Sequence, residues 1–131
     1  MSGQGKIFDH SALLHYSASP EVYQETLLNV ATRDGATLVV PASAYQVTVA
    51  TRPAAQAALF GLVTSPGVAL HALNDRIDLE NAAYLAAPFP ELHRDVCAAH
   101  CGLVAVQTGW PIVTGEPQLY VPLGLETEKM P

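Results

Sequence analysis

The sequence predicts an α/β fold in which helices cover both faces of a central parallel sheet of four to five strands. Short apolar runs alternate with longer stretches of helical periodicity, and this alternation is typical of parallel sheets. The chain has 131 residues, of which half are apolar and only 14% are charged, so it fits one folded domain over residues 1–131. We therefore expect a single three-layer α/β/α domain.

The predicted strands are short runs of apolar and β-branched residues that end at turn or polar residues. The first strand ends at Asp9, the second ends at Pro41, and the Ser65-Pro66-Gly67 turn precedes the third. These strands cover residues 6–8, 37–40, 68–72 and 110–114, and the tail at residues 118–125 is a candidate for a short edge strand.

The predicted helices begin and end at residues that favour helix ends. Ser19 and Pro20 suit the start of one helix, and Asn74 or Asp75 suits the cap of another. The Ala-, Val- and Leu-rich stretch before Gly109 is predicted to be the longest helix. The helices cover residues 11–16, 20–33, 42–51, 54–63, 75–87 and 91–107.

Composition excludes several classes of protein. The net charge is −6, and the six Lys and Arg residues are scattered along the chain, whereas a surface that follows phosphates needs several of them on one face. No apolar run approaches the ~20 residues of a membrane span, and no signal peptide is evident, so a cytoplasmic location is expected. Two cysteines are too few for a disulfide scaffold.

Acidic residues follow two of the predicted strands. Asp9 comes directly after the first strand, and Glu116 follows the fourth. In open parallel sheets, ligands bind in the crevice at the carboxyl ends of the strands. Carboxylate oxygens are ligands for Mg²⁺ and Mn²⁺, so two carboxylates at this edge predict a weak divalent-metal site.

The order of several short motifs resembles that of the PIN domain family, which includes VapC-like toxin ribonucleases. These motifs are Asp-x-Ser-Ala-Leu-Leu from residue 9, a Val-Pro strand end, Ser-Pro-Gly-Val, a long Ala-rich helix and Gly-Trp-Pro-Ile-Val-Thr before an acidic residue and Pro. The resemblance covers residues 6–125. It implies Mg²⁺- or Mn²⁺-dependent hydrolysis of RNA phosphodiesters, an antitoxin-like protein as partner, and a homodimer.

Two of the four acids that the resemblance implies are absent. Asp9 matches the first acid and Glu116 the last. The second falls on Val47, and the third, on the long helix, falls on Ala98. A site with so few carboxylates is poorly suited to hold the two metal ions that such hydrolysis often uses.

Asp95 is a candidate to replace the acid that is missing at Ala98. It lies three residues earlier, so on a continuous helix it would share nearly the same face. The alternative is an ordinary acidic residue near a helix start. The resemblance thus implies a metal site of Asp9, Glu116 and Asp95, with the hydroxyls of Ser11 and Thr114 as its support.

Two functions from different classes follow. The first is a toxin-type ribonuclease that is weakly active because its metal site is reduced. The second is a non-catalytic PIN-fold module that binds a partner protein, an interpretation favoured by Val47, Ala98 and the few basic residues.

Other reactive side chains have ordinary structural explanations. His93, Cys97 and Cys101 are spaced at four residues, but three helical turns span about 12 Å, which is too far for one zinc ion, and buried thiols are the alternative. Ser11 or Ser43 could act with His10 or His15 as base, but no nucleophile elbow is present.

Two aromatic side chains have similar alternatives. Tyr45 could stack on an RNA base or pack between helices, and Trp110 is expected to pack against the core.

Overall fold

Five strands form a parallel sheet in the computed structural model, which describes residues 4–130 and all of their side chains except those of residues 30–32. They are β1 (Gly5–Phe8), β2 (Thr37–Pro41), β3 (Val68–His71), β4 (Ile112–Val113) and β5 (Thr127–Glu128). The order across the sheet is β3-β2-β1-β4-β5, and each neighbouring pair is parallel. β1 therefore lies at the centre of the sheet, in agreement with the burial of its side chains.

Six helices of the described chain flank this sheet, so the predicted three-layer α/β/α class is confirmed. They are α1 (His10–Ala18), α2 (Pro20–Arg33), α3 (Ala42–Thr51), α4 (Gln56–Val63), α5 (Arg76–Ala86) and α6 (Val96–Thr108). None of the helices within residues 4–130 combines the length and the apolar character that crossing a bilayer requires.

The core lies between the sheet and its helices, and one contiguous cluster of buried apolar side chains fills it. Ile7, Leu38, Val40 and Ile112, from three adjacent strands, are completely buried. Interior strands of a parallel sheet are covered on both faces, which is why they are nearly continuous apolar runs. Each such side chain stabilises the fold by about 1.5–3 kcal/mol relative to an exposed one. Residues 1–3 and 131 of the predicted domain lie outside the described residues.

The start of α6 differs from the prediction. Residues 90–92 form a separate 3-10 helix, and α6 begins only at Val96, with Asp95 as its N-cap. Proline lacks a backbone N–H and suits the first turn of a helix, which explains the short helix that begins at Pro90. The predicted helix at residues 91–107 was therefore too long, and α2, with 14 residues, is longer than α6, with 13.

The position of the fifth strand was also predicted wrongly. Residues 117–119 form a 3-10 helix that is followed by a turn, and the edge strand lies further on, at Thr127–Glu128. Pro117 and Pro122 cannot donate a backbone hydrogen bond to a neighbouring strand, so the segment that contains them does not form a ladder.

Candidate functional site

Asp9 stands where β1 ends and α1 begins, and it is the N-cap of that helix. Its Oδ1 accepts hydrogen bonds from the backbone N–H of Ala12 at 3.0 Å and from Ser11 Oγ at 2.6 Å. Its Oδ2 accepts from Thr114 Oγ1 at 2.5 Å and from the hydroxyl of Tyr120 at 2.9 Å. The residue is 0% exposed. Both oxygens are thus enclosed by protein donors.

This arrangement does not fit the metal ion that the PIN resemblance implies. A carboxylate has about four lone-pair positions, and four donors already point at Asp9. A cation would have to displace at least one of them and reach a fully buried group. Among residues 4–130, moreover, no group of three or more His, Cys, Asp or Glu side chains is placed to hold a metal ion. The weak Mg²⁺ or Mn²⁺ site therefore stays a prediction that the geometry does not support.

Glu116 follows β4 and faces His10 rather than a metal-ligand cluster. Its backbone N–H donates to Thr114 Oγ1 at 2.8 Å, and its side chain is 41% exposed. Its Oε1 lies 3.6 Å from His10 Nε2. Burial alone would lower the pKa of His10, but a hydrogen bond and charge at Cys97, together with the charges of Asp9 and Glu116, raise that pKa above its ordinary value.

Asp95 is not in the helical position from which it was predicted to reach the site. It lies just before α6 and caps it, since its Oδ1 accepts a hydrogen bond from the backbone N–H of Ala98 at 2.8 Å. The cap satisfies one of the N–H groups that a helix start leaves unpaired. The shared helical face that would have brought Asp95 in line with Ala98 is therefore absent.

Of the four positions at which the resemblance implies an acid, Val47 lines an open crevice at the carboxyl edge of the sheet, and the replacement candidate Asp95 lines it too. This crevice has a volume of about 510 Å³, and its lining residues are His10, Val47, Glu91, Arg94, Asp95, Val96 and Cys97. Val47 stands here in place of an acid and is partly exposed, whereas Ala98 is buried. A larger crevice of about 680 Å³ lies at the opposite edge, where residues 4–6 begin β1. The crevice is lined by two acids, Glu91 and Asp95, and its lining residues do not include Asp9 or Glu116.

Ser11 and Thr114, which were predicted to support a metal site, both donate hydrogen bonds to Asp9, and Tyr120 is a third donor that sequence reasoning missed. The Ser11 and Thr114 hydroxyls lie 3.2 Å apart, and the N–H of Gly115 donates to Ser11 Oγ at 2.8 Å. Tyr120 is completely buried, and burial, with Cys101 and Asp9 nearby, raises the pKa of its hydroxyl. It therefore keeps the proton that it donates. The only signal for it was an aromatic residue soon after the second acid.

A second polar cluster joins Ser43, His71 and His100, and the sequence did not predict it. Ser43 Oγ lies 2.8 Å from His100 Nδ1, and His100 Nε2 lies 2.9 Å from His71 Nδ1. Burial, followed by the charge of His71, lowers the pKa of His100 to about 4. The bases proposed for Ser43 lie elsewhere, since His10 faces Glu116 and the ring of His15 contacts Tyr23.

The zinc alternative receives no support within the described residues. His93 precedes α6, and its Nε2 lies 2.8 Å from the carbonyl oxygen of Ala87. Cys97 and Cys101 are free and buried, with their sulfur atoms 4.0 Å apart. Tyr45 and Trp110 pack against the core while remaining partly exposed, as the structural interpretation of both predicted.

No protein-family model matches the chain, and no curated protein sequence matches it either. The resemblance to PIN domains therefore stays a prediction from the motifs, and the function proposed next depends on the geometry of the side chains.

Proposed function

We propose that this chain is a protein-binding module on a PIN-like fold rather than a metal-dependent ribonuclease. The observation that carries the proposal is the buried carboxylate of Asp9, whose two oxygens accept four hydrogen bonds. Such a carboxylate acts as a structural junction between β1, α1 and the segment after β4. The absence of acids at Val47 and Ala98 supports the same conclusion.

A groove beside α5 and α6 is the surface that suits a partner. It has a volume of about 360 Å³ and is apolar except for His93; the other lining residues are Leu73, Leu79, Ala82, Ala83, Ala86, Ala87, Leu92, Val96 and Ala99. Leu79 and Val96 are 55% and 64% exposed. Large exposed apolar side chains around a groove of small residues are typical of surfaces that bind another protein.

Charge favours a basic amphipathic helix as the occupant of this groove. Residues 75–95 contain five acids, Asp75, Asp78, Glu80, Glu91 and Asp95, and two basic residues, Arg76 and Arg94. A helix with an apolar face and basic flanks would bury Leu79 and Val96 and complement this charge. A second copy of the chain also carries a net charge of −6 and would be repelled.

Replacement of Leu79 by lysine should weaken binding of a basic amphipathic peptide about tenfold or more, because it puts a charge into the apolar contact. The probe is a helical peptide of leucine and lysine residues, and its affinity is measured by fluorescence anisotropy. Val22→Lys is the matched control, since Val22 is 62% exposed on α2 and the substitution adds the same charge. Equal weakening by both variants would show that only net charge matters. A homodimer lost in Leu79→Lys would make a second copy the occupant instead.

The ribonuclease remains a second candidate because His10, Val47 and Asp95 share one crevice. We expect millimolar Mn²⁺ to leave the thermal midpoint unchanged and RNA to stay uncleaved. If the protein did bind Mn²⁺, an ion concentration one hundred times the Kd would instead add about 2.7 kcal/mol to the free energy of unfolding. A rise in the midpoint that Glu116→Gln abolishes, together with RNA cleavage that EDTA stops, would restore the nuclease hypothesis.

A further inference from the structure

β3 forms one edge of the sheet, and of the strands within residues 4–130 only β2 pairs with it. Leu38 of β2 lies opposite Val68, and its N–H donates to the carbonyl oxygen of Gly67 at 2.9 Å. In a parallel ladder the backbone groups of alternate residues face the neighbouring strand. The N–H of Ala69 therefore faces β2, whereas the N–H and the C=O of Leu70 face away from it.

The outer side of β3 is open at Leu70. Neither backbone group of Leu70 has a hydrogen-bond partner within the part of the chain that the structure describes. The side chains of Ala69 and Leu70 point to opposite faces of the sheet, yet both residues are exposed, Leu70 by 53%. An extended strand with an open donor and acceptor is a template on which a further strand can form.

The other edge of the sheet is protected in ways that β3 is not. β5 has only two residues, and one of them, Glu128, forms an ion pair of 2.6 Å with Lys6. Lys129 follows directly. Short strands and charged side chains, lysine above all, discourage the addition of a strand to an edge. β3 has four residues, and none of them is charged or a proline, so β3 is the open edge.

The chain around β3 carries no charge that would select a charged partner. Residues 53–74, which include α4, the turn and β3, contain no Asp, Glu, Lys or Arg, although these make up 14% of the whole sequence. α4 packs against β3, and its Phe60 is 58% exposed. Interface centres are depleted in charged residues and enriched in aromatic ones. The occupant that complements this edge is therefore an uncharged segment.

We propose that the outer edge of β3 accepts an extended, uncharged segment of a partner protein as an added strand. In the antiparallel arrangement, which is the more stable one per residue, Leu70 exchanges both of its hydrogen bonds with one residue of that segment. The site is separate from the groove beside α5 and α6, since none of the lining residues of that groove belongs to β3. It therefore does not require the basic helix proposed for the groove.

A second copy of the chain suits this edge less well than a short segment. A stable dimer buries about 800 Å² on each partner, whereas a strand of four residues spans only about 13 Å. A contact that extended beyond residues 53–74 would bring together two chains that each carry a net charge of −6. A segment that is no longer than the strand needs neither a large area nor further contacts.

The test measures amide hydrogen exchange in the full chain by NMR. The probe is a short blocked peptide of alternating threonine and valine residues. We expect exchange of the Leu70 amide to slow about tenfold when about nine-tenths of the protein is bound. The Ala69 amide, which already faces β2, is the internal control and should keep its rate. The same peptide with every amide N-methylated should have no effect, because it cannot donate to the edge.

Two variants at one position separate the backbone contact from the side-chain contact. Leu70→Ala and Leu70→Pro both remove the leucine side chain, but only proline also removes the outward N–H. Because that N–H does not bond to β2, proline is tolerated there, as at other edge positions. By fluorescence anisotropy, the labelled peptide should bind Leu70→Pro about tenfold more weakly than Leu70→Ala.

Three results would overturn the proposal. The first is an unchanged exchange rate of the Leu70 amide at millimolar peptide. The second is protection that the N-methylated peptide reproduces, or equal affinity of the two variants. The third is protection that appears without peptide when the protein concentration is raised, since a second copy would then occupy the edge. Exchange is measured on the unaltered protein, so this part of the test does not depend on whether Leu70→Pro folds.

Discussion

Replacement of Asp9 by alanine is expected to lower the free energy of unfolding by about 3–5 kcal/mol, because it leaves buried neutral donors without an acceptor, at a cost of about 1–3 kcal/mol for each donor that stays unpaired. The loss of the Asp9 acceptor will not affect the four donors equally. The Ser11 and Thr114 hydroxyls lie 3.2 Å apart and can bond to each other, whereas the Tyr120 hydroxyl and the Ala12 N–H lose the acceptor that each has in Asp9. The loss is therefore smaller than the sum of four hydrogen bonds but larger than the loss of a helix cap.

Asp75→Ala provides the matched comparison for this measurement. Asp75 is the N-cap of α5, and it accepts a hydrogen bond from the Asp78 N–H at 2.9 Å in an exposed position. Its replacement should cost only about 1 kcal/mol, as for other N-caps. Urea unfolding of both variants separates the two effects. An Asp9→Ala variant no less stable than Asp75→Ala would show that the buried network contributes little, and a stabilised variant would indicate a carboxylate kept for binding a cation.

The helix and strand positions were largely predictable because they depend on local patterns. Asp9 was placed correctly at the end of β1, and residues 42–51 were predicted with the bounds that α3 has. The start of α6 and the position of β5 were not, since both follow prolines whose short 3-10 helices interrupt an otherwise suitable run. Apolar periodicity does not distinguish a continuous helix from a 3-10 helix, a turn and a later cap.

The surroundings of Asp9 were less predictable than its position. The sequence indicated a carboxylate at a crevice, but whether its oxygens are open depends on contacts with residues more than 100 positions away. Tyr120 reaches Asp9 from a turn that had been predicted as a strand. Likewise Asp95 was assigned to a helical face, and its actual role as a cap depends on where α6 begins. The side-chain contacts of Asp9 and Asp95 could therefore not be derived from the sequence, which carries the least information at that level.

His100 is a second case in which the sequence did not reveal the side-chain contacts. It lies in an apolar helical stretch, and this pattern gave no sign of a buried hydrogen-bonded cluster with Ser43 and His71. It lies on α6 at 1% exposure, between Ser43 and His71. A charged imidazole here would lose its hydration and face a second histidine, so burial and then His71 lower the pKa of His100 from 6.5 to about 4. The cluster connects α3, α6 and the edge strand β3, so protonation of His100 would disturb the contacts among all three elements.

The protein should lose stability between about pH 6.5 and pH 4 through this residue. In that window an unfolded His100 binds a proton and the folded one does not, so unfolding takes up protons and becomes easier as pH falls. Between about pH 7 and pH 4.5 the loss from this group is about 2 kcal/mol. Urea midpoints at the two pH values measure it, and they include contributions from every other titrating group.

The variant His100→Gln removes this contribution while leaving a hydrogen-bonding side chain between Ser43 and His71. Its own stability will be lower at neutral pH, but its difference between the two pH values should be about 2 kcal/mol smaller than that of the unaltered protein. His93→Gln, at an exposed histidine outside the cluster, should keep the full difference. If the free energy of unfolding of His100→Gln depends on pH as that of the unaltered protein does, His100 does not change its protonation on unfolding. The cluster of Ser43, His100 and His71 then makes no contribution to the loss of stability at low pH.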